Sequence, residues 1–227
     1  MSNDLKRAAA RRALDFVESG MKLGLGTGTT AEAFLEFLAE KVAAGLQIVG
    51  AATSKRTEAK ARALGIPLDD LDRLAPLDLA VDGADEADRD LNLIKGGGGA
   101  LLREKIVAAS AKRMIVIADA SKLIKRLGRF PLPVEVTPFG HATSARRIAE
   151  TALRLGYTNV PVKLRDNFTT DGGNVIYDCG FGAIQDAPAL AAALEAQPGV
   201  VDHGLFIGLA STLVIAGDDG VEVIEKP

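Results

Sequence analysis

Three short segments of this chain hold the residue types that bind anions and move protons. The first is Gly24-Leu-Gly-Thr-Gly-Thr-Thr30, which follows a predicted strand and opens a predicted helix. Backbone amides and the helix dipole make that junction a site for anions. It is not a dinucleotide fingerprint, because Thr29 stands where the third glycine belongs, and it lacks the lysine of a nucleotide P-loop. Thr27, Gly28, Thr29 and Thr30 suit a monophosphate better than a dinucleotide. The alternative is a plain tight strand–helix turn.

The second segment, Asp82-Gly83-Ala84-Asp85-Glu86, lies just past an apolar predicted strand. Its acids suit proton transfer, a magnesium site, or simple capping of a turn. The third runs from Lys95 through Gly96, Gly97, Gly98 and Gly99 to Glu104. Four consecutive glycines weaken any regular element, so the backbone there must do something that side chains would obstruct. Successive amides form a nest for a developing oxyanion. Glu104 falls in the first turns of the next helix, whose dipole is expected to keep it ionised as a base. An ordinary exposed glutamate after a flexible linker is the plainer alternative. Jointly the segments fit proton abstraction beside the carbonyl of a small phosphorylated substrate, with no metal or redox cofactor required.

These loops need a frame. Predicted strands at 22–25, 48–52, 77–81 and 114–118 alternate with helices at 5–18, through Phe34, Phe37, Leu38 and Val42, at 54–64 and at 101–111. Thr29 and Glu32 form a candidate capping box. Repeated β–loop–α units predict an α/β fold, a Rossmann-like, mostly parallel sheet covered by helices, with its ligand beyond the carboxyl ends of the strands. After Arg129 the order becomes β-α-β-β-α-β, that of a ferredoxin-like unit. The expected division is residues 1–129 plus 205–227 as the α/β domain, with 130–204 inserted as a smaller α+β domain for packing or assembly. The strands at 205–209, 213–216 and 221–224 are expected to return to the first domain.

With 27 basic and 30 acidic residues, the chain lacks the basic excess of a nucleic-acid or anionic-membrane binder. No apolar run reaches a membrane span. The lone Cys179 reads as a small buried hydrophobe, and His141 and His203 match no zinc spacing. The N-terminus lacks the apolar core of a signal peptide, so a cytoplasmic protein is expected.

The three segments, with Ala-Thr-Ser-Lys at 52–55, Ser-Lys-Leu at 121–123, Phe-Pro-Leu-Pro-Val-Glu-Val at 130–136 and Gly-Leu-Phe-Ile-Gly at 204–208, closely resemble type A ribose-5-phosphate isomerase. The matches run in order over nearly the whole chain. The resemblance implies metal-free interconversion of ribose 5-phosphate and ribulose 5-phosphate in the pentose phosphate pathway. It assigns Glu104 as the base working through a cis-enediolate, and Asp82, Asp85 and Lys95 to ring opening and proton handling at the sugar oxygens. It places Thr27 to Thr30 at the phosphate, with Lys122 as a substrate contact and Lys6 as a weaker candidate. It also implies a homodimer or homotetramer. His203 gains no role from it and reads as a surface or turn residue. A sugar-phosphate sensor would need a DNA-binding element for which the chain has little room. An acyl-coenzyme A transferase or an amino-sugar-phosphate deaminase fits the Asp82–Asp85 pair and the threonine loop less well.

Overall fold

The computed structural model describes residues 3–226. In its first half, α1 (Asn3–Ala13) leads through a 3₁₀ turn to β1 (Lys22–Leu25), α2 (Thr29–Ala43), β2 (Val49–Ala52) and α3 (Lys55–Ala63). Next come α4 (Leu71–Leu74), β3 (Leu79–Gly83), the two-residue strands β4 (Glu86–Ala87) and β5 (Leu93–Ile94), α5 (Leu101–Ala109) and β6 (Met114–Asp119). The second half holds β7 (Leu132–Val136), α6 (His141–Arg154), β8 (Val162–Leu164), β9 (Val175–Cys179), α7 (Ala187–Glu195) and β10 (Val200–His203). It closes with β11 (Leu205–Phe206), β12 (Thr212–Gly217) and β13 (Gly220–Glu225).

The large sheet has the order β13-β12-β6-β3-β1-β2, parallel except for the β13 edge. Its strands read as near-continuous apolar runs because both faces are covered. Leu23, Leu25, Val81, Ile117 and Val214 pack on one face with α1 and α2, through Ala9, Ala13, Phe34 and Leu38. Ala80, Val116, Ala118 and Ile215 pack on the other with Val107 and Ala108 of α5. From β1 the chain crosses to β2 on one side, then returns to β3 on the other. The carboxyl ends of β1 and β3 therefore flank a topological switch point, where such sheets leave a crevice.

The second sheet is antiparallel with the order β10-β7-β9-β8, the arrangement of the predicted split unit. It has its own core around Val134, Ile148, Tyr177 and Leu190. Cys179 is fully buried there, as its sequence reading expected.

Several local expectations need correction. The first α-helix ends at Ala13, where the chain tightens into the turn Leu14–Phe16 instead of running to Glu18. Thr29 is the first residue of α2, not its cap; Gly28 is the N-cap, and no side chain caps it. The strand expected at 205–209 is only Leu205–Phe206, and it pairs with β5 in a separate three-stranded sheet. Only β12 and β13 join the large sheet. No helix among the described residues is long and apolar enough to cross a membrane.

Candidate active site

Asp82 lies one residue from the end of β3, facing the turn after β1. Its Oδ1 accepts the amides of Thr27 at 3.1 Å and Gly83 at 2.7 Å. The turn must come very close, since a Cβ on Gly26 would lie 2.3 Å from Asp82 Oδ1 and 2.6 Å from its Cα. Gly26 is thus required by the approach of backbone to carboxylate. β5 delivers Lys95, whose amide is fixed to the Gly204 carbonyl at 2.8 Å. The Lys95 ammonium lies 3.0 Å from Asp82 Oδ2 and 3.4 Å from Glu104 Oε1, and it also donates to the Gly83 carbonyl. The Phe206 ring sits 5.5 Å from this ammonium.

All three charged groups of this trio are at least 95% buried. Desolvation raises the pKa of Asp82 against the pull of Lys95. Burial pushes Glu104 up to about 8, with Lys95 opposing and Asp82 reinforcing the rise. For Lys95, burial lowers the pKa, but Asp82 and Glu104 outweigh it and the net shift is upward. The expectation that a helix dipole keeps Glu104 ionised is therefore corrected. The dipole acts at a helix end, but here two larger effects, lost hydration and a neighbouring carboxylate, win. Glu104 Oε2 has no hydrogen-bond partner among the described residues.

A cleft of about 260 Å³ opens over this trio at the switch point. Glu104, Lys95 and Asp85 line its floor with Gly83, Ala84, Gly96 and Gly98. Its other wall holds Thr27, Gly28, Thr29 and Thr30, with Lys122 and Lys6. The first amides of α2 have no intrahelical acceptor, an arrangement suited to an anion. Lys6 of α1 donates to Thr29 Oγ1 at 2.8 Å, which brings a cation to the same wall. Two predicted residues lie behind the lining. Asp82 lies beneath, paired with Lys95, and the Gly97 amide is committed to Asp85 Oδ2 at 2.7 Å.

The Thr27 hydroxyl turns away from the cleft. It bonds the hydroxyls of Thr53 at 2.7 Å, Ser54 at 2.8 Å and Thr57 at 2.9 Å, so Thr27 shapes the loop from inside. Glu86 is fully buried and spends its two oxygens on the amides of Gly128 and Phe130. It anchors the crossover into β7 and does not converge with Asp82 and Asp85. No group of three or more His, Cys, Asp or Glu among the described residues is arranged to hold a metal ion.

Sequence reasoning missed Ala118 and Asp119, which line the cleft from the end of β6. Asp119 Oδ1 accepts the Ser121 amide at 3.1 Å and caps the turn that carries Lys122. The available signal was the one that revealed Asp82, an acid closing an apolar strand. His203 is not a surface residue: it is 1% exposed, with Nδ1 accepting the Leu205 amide at 3.2 Å. Burial and nearby Lys105 lower its pKa to about 4.

Residues 49–220 match the family model for ribose 5-phosphate isomerase A (phosphoriboisomerase A). This chain belongs to that family. It is 59% identical to ribose-5-phosphate isomerase A of Parvibaculum lavamentivorans, with 99% of each chain covered. The protein of that name from Nitrobacter hamburgensis is 57% identical over 98% of this chain and 97% of its own length. Solved structures agree. Ribose 5-phosphate isomerase from Plasmodium falciparum superposes with a TM-score of 0.93 at 38% identity, over 99% of both chains. A D-ribose-5-phosphate isomerase in complex with phospho-erythronic acid gives 0.91 at 36%, covering 99% of this chain and 100% of its own.

Proposed function

We propose that this chain interconverts D-ribose 5-phosphate and D-ribulose 5-phosphate, in the non-oxidative branch of the pentose phosphate pathway. One observation carries the reading: a buried carboxylate with a free oxygen, its pKa raised to about 8 by burial, lies beneath a cleft whose far wall can hold a phosphate. A base is most effective when its pKa lies near the working pH. Glu104 removes the proton from C2 of the open-chain aldose and returns it to C1. The electron pair of the broken C2–H bond forms the C1–C2 double bond of a cis-enediolate, and the carbonyl electrons move onto O1. Lys95 and the amides of the glycine loop stabilise that oxyanion, Asp85 handles protons at the sugar oxygens and during ring opening, and Asp82, behind the lining, acts through its pair with Lys95. Lys6, Thr29, Thr30, Lys122 and the start of α2 hold the phosphate. Sugar phosphate is the partner in this scheme, which calls on no metal and no cofactor.

The name of the phospho-erythronic acid complex supports the substrate class, because that ligand carries a carboxylate at one end and a phosphate at the other. We further propose that residues 130–204 assemble the chain into a homodimer or homotetramer, on the strength of exposed Phe139 and Leu153. A cytoplasmic location rests on the single, buried cysteine.

Proton NMR of ribose 5-phosphate in D₂O with EDTA tests the reading. The expected result is ribulose 5-phosphate from the wild type, with a loss of roughly 10²–10⁴ in kcat for Glu104→Gln. No product from folded wild-type protein refutes the activity. Product only after EDTA is omitted refutes the metal-free scheme.

A further inference from the structure

The glycine loop is held from outside by the segment between β8 and β9. Arg165 Nη1 donates to the carbonyls of Gly96 at 3.1 Å and Gly97 at 3.3 Å. The same guanidinium is clamped by both oxygens of Asp178, with Nε 3.0 Å from Oδ2. Phe168 lies under it, 5.4 Å from ring to guanidinium carbon. That ring packs so tightly on the loop that a Cβ on Gly99, at φ +79°, would lie 2.0 Å from Phe168 Cζ. Asp171 reaches the start of α3, accepting the Lys55 amide at 2.7 Å.

The consequence lies in the peptide planes. A trans peptide points its carbonyl and its N–H in opposite directions, and the bonds here are trans. Arg165 holds the Gly96 carbonyl, so the Gly97 N–H turns the other way and meets Asp85 Oδ2. Arg165 also holds the Gly97 carbonyl, so the Gly98 N–H points away from it. Gly98 lines the cleft, and its N–H has no acceptor among the described residues. Four glycines have little conformational preference of their own. Without an external hold, the Gly98 amide would sample many directions.

We propose that Arg165 is a positioning residue for catalysis. By gripping the outer carbonyls of the glycine loop, it aims the Gly98 amide at the enediolate oxygen and keeps Asp85 engaged. The sequence reading gave residues 130–204 packing or assembly alone; Arg165 makes this part of the chain a component of the oxyanion site. The proposal rests on the reading of the cleft as the isomerase site with Glu104 as base.

The test compares Arg165→Gln, Arg165→Lys and Asp178→Asn with wild type and Glu104→Gln. Steady-state kinetics are read beside calorimetric binding of inorganic phosphate and of phospho-erythronic acid. Losing one oxyanion donor costs about 10²–10³ in kcat, and a mis-aimed donor costs part of that. Arg165→Gln should lower kcat about 10–100-fold with KM within about threefold. It should weaken phospho-erythronic acid by a similar factor and leave inorganic phosphate unchanged, because the phosphate wall is untouched. Arg165→Lys should recover only part of the loss, since one ammonium cannot hold Asp178 bidentately and both carbonyls. Unchanged kcat in folded Arg165→Gln, or equal weakening of both ligands, overturns the proposal. If Arg165→Gln does not fold, Asp178→Asn decides: a smaller loss of the same pattern supports it, and wild-type kcat refutes it. Wild-type activity in Glu104→Gln would instead overturn the underlying reading.

Discussion

The pKa of Glu104 predicts a pH profile with its sign fixed by burial. Only the ionised carboxylate can take a proton from C2, so kcat/KM should rise with pH and level off above about 8. Below that break the slope is one decade per pH unit. At pH 6.5 the ionised fraction is about 10^−1.5, which puts kcat/KM on the order of 30-fold below its plateau. The substrate phosphate loses its second proton near pH 6, so the window from about 6.5 to 9 separates the enzyme from the substrate. The break belongs to the Asp82–Lys95–Glu104 set as a coupled unit, and neighbours assign it. Asp82→Asn removes a charge that raises the Glu104 pKa, so the break should move to lower pH. Lys95→Met removes the charge that lowers it, so any residual activity should break at higher pH. Initial rates of ribulose 5-phosphate formation at low substrate, from pH 6.5 to 9.5, give the curve directly. A flat wild-type profile across this range would show that Glu104 titrates as an ordinary glutamate, and would refute the argument from burial.

Three further outcomes check separate steps. Gly26→Ala should lose roughly 1–3 kcal/mol in chemical denaturation, with impaired kcat, because its Cβ drives into Asp82; wild-type stability would mean that the loop has room to move. Thr27→Val and Thr29→Val should separate: the first strips the hydroxyl shared by Thr53, Ser54 and Thr57 and costs about 1–3 kcal/mol in stability. The second loses the Lys6 contact and should raise KM several-fold with little change in stability or kcat. Buried His203 should stay neutral well below pH 6, its imidazole NMR shifts moving only as pH falls towards about 4; a midpoint near 6.5 would contradict its burial beside Lys105.

What could be read in the sequence was whatever depends on local pattern. β1 occupies the predicted residues 22–25, since an apolar run between turn residues fixes it without reference to the rest of the chain. The cleft residues were visible because glycines, threonines and acids at strand ends are unusual locally. Side-chain direction was not visible. The Thr27 hydroxyl turns inward because β1 and β2 pair Leu25 with Ala52, which sets Thr53 beside it, and no feature of 24–30 records that pairing. Glu104 looked like a surface residue between Arg103 and Lys105; its burial comes from Lys95 and Asp82, 9 and 22 positions away. Arg165 was hidden for the same reason, its contacts lying 69 and 68 residues back.

The cost of the trio argues for its purpose. Two carboxylates and one ammonium, each at least 95% buried, lose hydration that one shared cation restores only in part, and apolar residues of equal volume would often be more stable. Glu104 Oε2 is left without a partner as well, which in a purely structural cluster is an uncompensated penalty. Each feature that is costly for folding is useful for moving a proton. In the proposed reaction, lost hydration lifts the Glu104 pKa to about 8, its unpaired oxygen can meet the C2 proton, and Lys95 stays charged where negative charge would develop. The rest of the molecule supplies the rigidity this requires: Gly204 fixes the backbone of Lys95, Gly26 admits Asp82, and Arg165 holds the glycine loop. Two of these three supports lie beyond Arg129, far in sequence from the loops that they steady. The residues beyond Arg129 therefore serve not only for bulk but to hold Lys95 and the glycine loop in place.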